Sequence, residues 1–180
     1  VIATKPSIVS PENSVKDVKD GEIVFDHVYF SYSGDLEKSV LKNINLKINS
    51  GDYVGIIGPT GSGKSTLISL IARLFDTSSG NVIVAGENVK NYDLVSLRDE
   101  VSVVLQKNQL FTGTLRENLK WANENLSDDD LKEALYIASC DDFIDVEKDL
   151  DMMVQRGGTN FSGGQRQRIS IARSLLKNPK

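Results

Sequence analysis

The sequence holds a single cysteine, Cys140, so no disulfide can form within it. That suits a reducing compartment, and the expected role of Cys140 is a small buried hydrophobe on a helix. Histidine is equally scarce: His27, the only one, lies in an N-terminal strand-like stretch and is read as a structural or surface residue. No run of about eighteen apolar residues occurs, so no segment of this chain is expected to cross a bilayer as a helix. The opening Val1-Ile2-Ala3-Thr4-Lys5-Pro6 lacks the charged-then-apolar pattern of a secretory signal, and a first residue other than Met suggests an excised or processed piece. Positive charge is also short. Lys and Arg number 21 against 25 Asp and Glu, a net charge of −4 with a pI near 5.1, so no basic footprint argues for nucleic acid or an anionic membrane surface.

What remains is an ordinary globular composition, 39% hydrophobic and 26% charged over 180 residues, about one domain's length. Residues 1–20 carry Pro6, Pro11 and alternating Lys and Asp without periodicity, and read as a linker. From Glu22 the pattern changes. Ile23-Val24-Phe25, Val28-Tyr29-Phe30 and the alternating Ile44, Leu46 and Ile48 predict half-buried antiparallel strands, with turns at Ser33-Gly34-Asp35 and Asn49-Ser50-Gly51-Asp52. Tyr53–Ile57 and Val101–Leu105 read as buried strands, and Asn81–Gly86 as a strand and turn. Asp93 is placed to cap a short helix carrying Leu94 and Leu97. From Gln106 to about residue 160 the chain reads as helical, with Ser127 and Asp128–Asp130 forming an acidic helix start before Leu131, Ala134, Leu135 and Ala138. That acidic triplet is a dipole-favouring surface rather than a metal site, since Asp128 and Asp129 cannot share a helix face.

The most informative stretch is Gly58-Pro59-Thr60-Gly61-Ser62-Gly63-Lys64-Ser65-Thr66, which fits G-x-x-x-x-G-K-[ST] between a strand-like run and the apolar helix-like run Leu67–Phe75. Its glycines let the backbone take positive φ and approach a ligand closely. The N–H groups then converge at a helix N-terminus, where the macrodipole favours an anion. Lys64 supplies a point charge for β- and γ-phosphates, and the Ser65 hydroxyl suits Mg²⁺, a hard cation that prefers oxygen. A second Gly-rich helix start follows at Ser162-Gly163-Gly164-Gln165, with Ile169, Ala172 and Leu176 on one stripe and Asn178-Pro179 as the stop. It reads either as a simple Ser162 cap or as a second phosphate-receiving terminus; two glycines in a first turn cost about 1 kcal/mol each against alanine and need a compensating role.

Asn160-Phe161-Ser162-Gly163-Gly164-Gln165-Arg166-Gln167-Arg168, about a hundred residues after a phosphate loop, resembles the signature motif of ATP-binding-cassette (ABC) ATPases. The similarity runs from residue 21 onward, and Phe111–Leu119 with Gln155–Gly158 makes it resemble the nucleotide-binding domain of exporter-type ABC transporters. Phe161 departs from the usual leucine, an apolar exchange of little expected effect. The resemblance implies an α/β fold: a P-loop NTPase (RecA-like) core with an N-terminal antiparallel β subdomain and an α-helical signature subdomain, incomplete at the C-terminus. Residues 1–20 would link a preceding membrane domain to 21–180, divided into a β subdomain (21–50), a P-loop core (51–106), a helical subdomain (107–162) and a signature helix (163–180). The implied cofactors are ATP and Mg²⁺. Tyr32 would stack on adenine with Val40 on the other side of the base; Pro59, Thr60, Gly61, Ser62, Gly63, Lys64, Ser65 and Thr66 would hold the phosphates; Lys64 and Gln106 would serve catalysis; Ser65 and Gln106 would ligate the metal.

Ser162, Gly163, Gly164 and Gln165 would act in trans, on ATP held by a second nucleotide-binding domain in a head-to-tail dimer. Arg116–Leu119 would lie near the surface facing a transmembrane domain, and the whole would sit at the cytoplasmic face of the cell membrane as part of an integral membrane exporter. The family's hydrophobic strand ending in Asp, the catalytic Glu after it and the switch histidine would follow Lys180. The 180 residues are therefore expected to bind nucleotide without hydrolysing it at a useful rate, and to leave apolar strand edges uncovered. Two other readings are a non-transport ABC ATPase of DNA repair, chromosome maintenance or translation, and a nucleotide-binding regulatory module. The unbroken run from Gln106 to the signature disfavours the first, and the absence of Asn-Lys-x-Asp disfavours a GTPase.

Overall fold

The computed structural model describes residues 6–180, and so the first five residues of the linker expectation lie outside the described ones. The chain divides into two compact units: residues up to Val101 together with Lys180, and Ser102–Pro179.

In the first unit, β1 (Ile23–Phe30), β2 (Leu41–Ile48), β3 (Ser79–Val84) and β4 (Glu87–Asn88) form an antiparallel sheet in the order β2-β1-β3-β4. The alternation read from Ile44, Leu46 and Ile48 is real: these side chains are half-buried while Lys47 and Asn45 point to solvent. Helix α1 (Lys64–Ile71) lays Leu67 and Leu70 against Phe25, Val28, Phe30, Leu41, Val82 and Val84, which closes one apolar core. The sheet thus supports the helix that starts at the phosphate loop. Helix α2 (Leu94–Asp99) adds Leu97, capped as expected by the Asp93 carboxylate, which accepts from the Ser96 N–H at 3.0 Å. That capping bond is also the main cause holding the Asp93 carboxyl below its ordinary range. Residues 6–20 are irregular but held: Val18 is buried, Val15 bridges Tyr92, and the Leu94 N–H donates to Ser10 Oγ.

The second unit is mostly helical, with α3 (Leu115–Lys120), α4 (Asp128–Ile137) and α5 (Gly163–Leu175) packed around Leu115, Leu119, Leu131, Leu135, Ile169 and Ala172. The expected start of α4 is found as a capping box in which Ser127 Oγ and the Asp130 carboxylate satisfy each other's backbone N–H groups. Phe161 is buried in this core, edge-on to Phe143. His27 is exposed, as read, at a positive φ of 49° in β1.

Four expectations are corrected. Tyr53–Ile57 and Val101–Leu105 carry no ladder among the described residues, and Tyr53 and Ile57 are 104% and 99% exposed. A strand exists only by pairing, and neither stretch has a neighbour to pair with here. The stretch from Gln106 to residue 160 is not continuously helical, because β5 (Gly113–Thr114) and β6 (Met153–Val154) form a short antiparallel ladder within it. Cys140 is buried as expected, with its thiol pushed up to about 11 by desolvation, but it follows α4 rather than lying on it. Arg116–Leu119 is not a wholly surface stretch: Asn118 and Leu119 are buried, and Arg116 is engaged by Asp128 and Asp151. The helix turns these positions inward because its Leu115 and Leu119 stripe seeks the core.

Candidate functional site

The loop Gly58–Gly63 runs into α1 through Gly63, whose φ of 89° is a left-handed conformation that L side chains avoid. A Cβ there would stand 2.9 Å from Leu41 Cδ2 and 3.2 Å from Val40 Cγ1, so the loop backbone is pressed against the start of β2. Gly63 offers no side chain to cap the helix. Among the described residues, α1 is the one α-helix whose N-cap makes no side-chain hydrogen bond; Asp93, Thr114, Ser127 and Ser162 cap the others. Its first-turn N–H groups are therefore left for something from outside the helix. Lys64 folds over this space, its Nζ donating to the Gly58 carbonyl at 2.7 Å, the Pro59 carbonyl at 2.8 Å and Ser62 Oγ at 3.3 Å. Pro59, Thr60, Gly61, Ser62 and Ser65 are exposed, whereas Thr66 is buried.

Tyr32 follows β1 and is 61% exposed, with its hydroxyl 2.9 Å from Thr66 Oγ1. The base-stacking candidate is thus tied directly to the phosphate helix. Val40 lies just before β2, its N–H donating to the Phe30 carbonyl at 2.7 Å, and touches the Gly63 position described above. The structure thereby brings together Tyr32, Val40 and the loop through Thr66 within one unit.

Gln106 and Ser162–Gln165 belong to the other unit. Gln106 is exposed at a bend. Ser162 and Gln165 form a capping box on α5: the Ser162 N–H donates to Gln165 Oε1 at 2.8 Å, and the Gln165 N–H donates to Ser162 Oγ at 3.3 Å. The simple-cap reading is thus satisfied, but it uses only Ser162 and Gln165. Gly163 and Gly164 are exposed, and a Cβ on Gly164 would meet nothing within 4 Å. Among the described residues, crowding accounts for neither glycine, since a Cβ on Gly163 would meet only Arg166 Nη2, at 4.0 Å; N–H groups in a helix's first turn have no partner within the helix and can receive an anion. Behind them Arg166 clamps the preceding turn, its Nη1 donating to the Phe161 carbonyl at 2.6 Å and the Gly158 carbonyl at 3.3 Å.

Several supporting residues were not read from the sequence. Arg73 is buried, and its guanidinium donates to Asp76 Oδ1 at 2.9 Å and to the carbonyls of Lys90 and Val9 at 3.1 and 3.3 Å. A lone arginine inside the apolar run Leu67–Phe75 was the available signal, since a charge there demands partners. Asn118 similarly fastens the loop before α3, accepting from the Phe111 N–H and donating to the Phe111 and Thr114 carbonyls.

Residues 41–180 match the family described as ABC transporter. The chain is 38% identical to ABC transporter B family member 21 of Arabidopsis thaliana, over 99% of this chain and 14% of that protein. It is 42% identical to the "Putative multidrug export ATP-binding/permease protein" of Staphylococcus aureus (strain NCTC 8325 / PS 47), over 91% of this chain and 28% of that protein. The structure of a bacterial Atm1-family ABC exporter with ATP bound superposes with a TM-score of 0.89 at 31% identity, covering 99% of this chain and 31% of that one. The chain spans less than a third of the length of each of these proteins. With the family model covering residues 41–180, relatives 38–42% identical over nearly the whole chain and the fold matched, this chain belongs to the ABC transporter family.

Proposed function

We propose that these residues form the nucleotide-holding part of an ABC exporter's ATPase, which couples ATP binding and hydrolysis to export across a membrane. The observation that carries the reading is the uncapped N-terminus of α1, wrapped by Gly58–Gly63 and crossed by Lys64. Backbone N–H groups of that loop hold the phosphates, and Lys64 leaves its own loop carbonyls to bind the β- and γ-oxygens. Tyr32 stacks on the adenine, with Val40 on the other side of the base. The Ser65 hydroxyl is a hard oxygen donor of the kind that would hold Mg²⁺, and the Gln106 side-chain carbonyl is a donor of the same chemistry; the ion, when bound, would supply neutralising charge at the phosphates. Lys64 and Gln106 are each proposed to serve the transfer of the γ-phosphoryl group to water.

The second half of each site is Ser162–Gln165 of another nucleotide-binding domain, packed head to tail, whose open Gly163 and Gly164 N–H groups meet the γ-phosphate. ATP then stabilises the pair and its hydrolysis releases it. The corresponding measurement is the association state of the intact protein: ATP without hydrolysis should drive pairing, whereas ADP should not. Equal pairing with both nucleotides would refute the reading. These 180 residues alone are expected to bind ATP without turning it over, since the family resemblance puts the water-activating glutamate after the stretch described. Steady turnover by the isolated 180 residues that Lys64→Ala abolishes would refute that part.

The helical unit carries the contact with the transmembrane domain. Phe111 and Trp121 stack in parallel, with centroids 4.1 Å apart and planes within 9°, yet Trp121 is 65% exposed. Beside them opens a cavity of about 330 Å³ bordered by Gln109, Thr112 and Arg156. A rigid exposed aromatic pair next to a recess is the kind of anchor that dominates interfaces. Trp121→Ala in the intact protein is expected to leave ATP affinity within about twofold while weakening attachment of the membrane domain by roughly 10- to 30-fold, the effect of a buried aromatic anchor. Undiminished attachment, read as the yield of a cross-link between the helical unit and the membrane domain of the intact protein, would remove this surface from the account. Residues 6–20, fastened through Val15 and Val18, would lead from a preceding membrane domain and place the ATPase at the cytoplasmic face.

A further inference from the structure

We propose that Phe75 is a positioning residue for the nucleotide base, fixing the plane of Tyr32 from the rim of the site; this rests on Tyr32 being the stacking residue. Tyr32 is mostly exposed, so burial does not hold its ring. Three contacts do. The Phe30 ring lies 4.8 Å away at 85°, the Phe75 ring lies 5.3 Å away at 90°, and the hydroxyl is anchored on Thr66. Phe30 and Phe75 also touch each other at 5.5 Å, so the three rings form one cluster. Neither neighbour is parallel to Tyr32, which orients the ring edge to face without supplying a stacked partner.

Phe30 is buried in the core, and its role there is packing. Phe75 differs. It is 39% exposed, and its place is set by the residues on either side: Arg73, in a left-handed turn with φ 47°, binds Asp76 Oδ1 and the Lys90 carbonyl. A phenylalanine left 39% exposed draws only part of the stabilisation that full burial would give it. What it does touch is Tyr32, and the cavity of about 310 Å³ on their shared side, bordered by Ser7 and Ile8, keeps that side otherwise unfilled. A tyrosine ring fixed in advance loses less freedom when a base stacks on it, and so the rim residue raises affinity without touching the ligand.

The test compares a ligand with a base and one without. In the intact protein, with EDTA present to prevent turnover, calorimetry would measure ATP and inorganic tripolyphosphate binding to the unaltered protein and to Phe75→Leu, which keeps an apolar side chain but removes the ring. ATP affinity is expected to fall about 3- to 10-fold and tripolyphosphate affinity to stay unchanged. Phe75→Tyr, which keeps the ring, should restore ATP affinity, and Phe75→Leu should have no further effect in a Tyr32→Ala background. A merely structural role would lower both affinities together and persist without Tyr32. Equal losses, no loss, or an effect independent of Tyr32 would overturn the proposal while leaving the phosphate loop standing. Failure of the unaltered protein to bind tripolyphosphate would instead overturn the nucleotide-site reading, and this inference with it.

Discussion

Lys64→Ala should weaken ATP binding at least about 10-fold and slow turnover of the intact protein by about 100- to 1,000-fold, while the fold survives. The first figure is that of one lost charge-assisted hydrogen bond, about 1.5–3 kcal/mol, reduced by the three hydrogen bonds to the loop that Lys64 gives up when a ligand arrives. The second reflects removing a preorganised cation from the place where charge shifts as the γ-phosphoryl group leaves. Stability should change by no more than about 1 kcal/mol, because those loop bonds are solvent-exposed and no core atom is lost. Nucleotide titrations beside a thermal melt separate the two. Unchanged ATP affinity with an intact melt would mean that the loop is only a turn before a core helix.

Gly164→Asp makes an opposite pair of demands on fold and function. Within the chain a Cβ there meets nothing within 4 Å, and a carboxylate in the first turn of α5 suits the helix dipole, so the melting temperature should hold or rise. If Gly164 faces the γ-phosphate of a partner's ATP, the same carboxylate is set against a phosphate. Two unit charges about 4 Å apart at an effective dielectric near 20 repel by about 4 kcal/mol, so ATP-driven pairing should fall by roughly two to three orders of magnitude. Sedimentation with ATP reads the pairing directly. A variant that pairs as well as the unaltered protein would leave the two glycines of α5 without a role.

The sequence was most legible where a signal is local. The Gly-rich loop entering α1, the Asp93 and Ser127 caps and the alternation in β2 each lie within a few residues, and each was found where it was read. Contacts made at a distance were not legible. β5 and β6 pair across about forty residues of intervening chain, and at two residues each they are too short to show any alternation. The cluster of Phe30, Tyr32 and Phe75 joins the end of β1 to the turn after α1, and Arg73 reaches Val9 and Lys90. Tyr53–Ile57 and Val101–Leu105 show the converse: apolar composition marks them as strands, but pairing depends on a neighbour that local sequence does not specify. In the candidate site the residue types were legible, while the means of holding Tyr32 in place was tertiary.

The central claim is that each ATP lies between Lys64 of one chain and Gly164 of another. Mixing intact protein carrying Lys64→Ala with intact protein carrying Gly164→Asp tests it most directly. Each variant alone spoils every site it can form, but in a head-to-tail mixed pair one site inherits both lesions and the other neither. The account predicts that mixing restores ATP-driven pairing, with one tightly held nucleotide per mixed pair. If mixing restores nothing, because loop and signature serve the same nucleotide within one chain or never meet, the account is wrong.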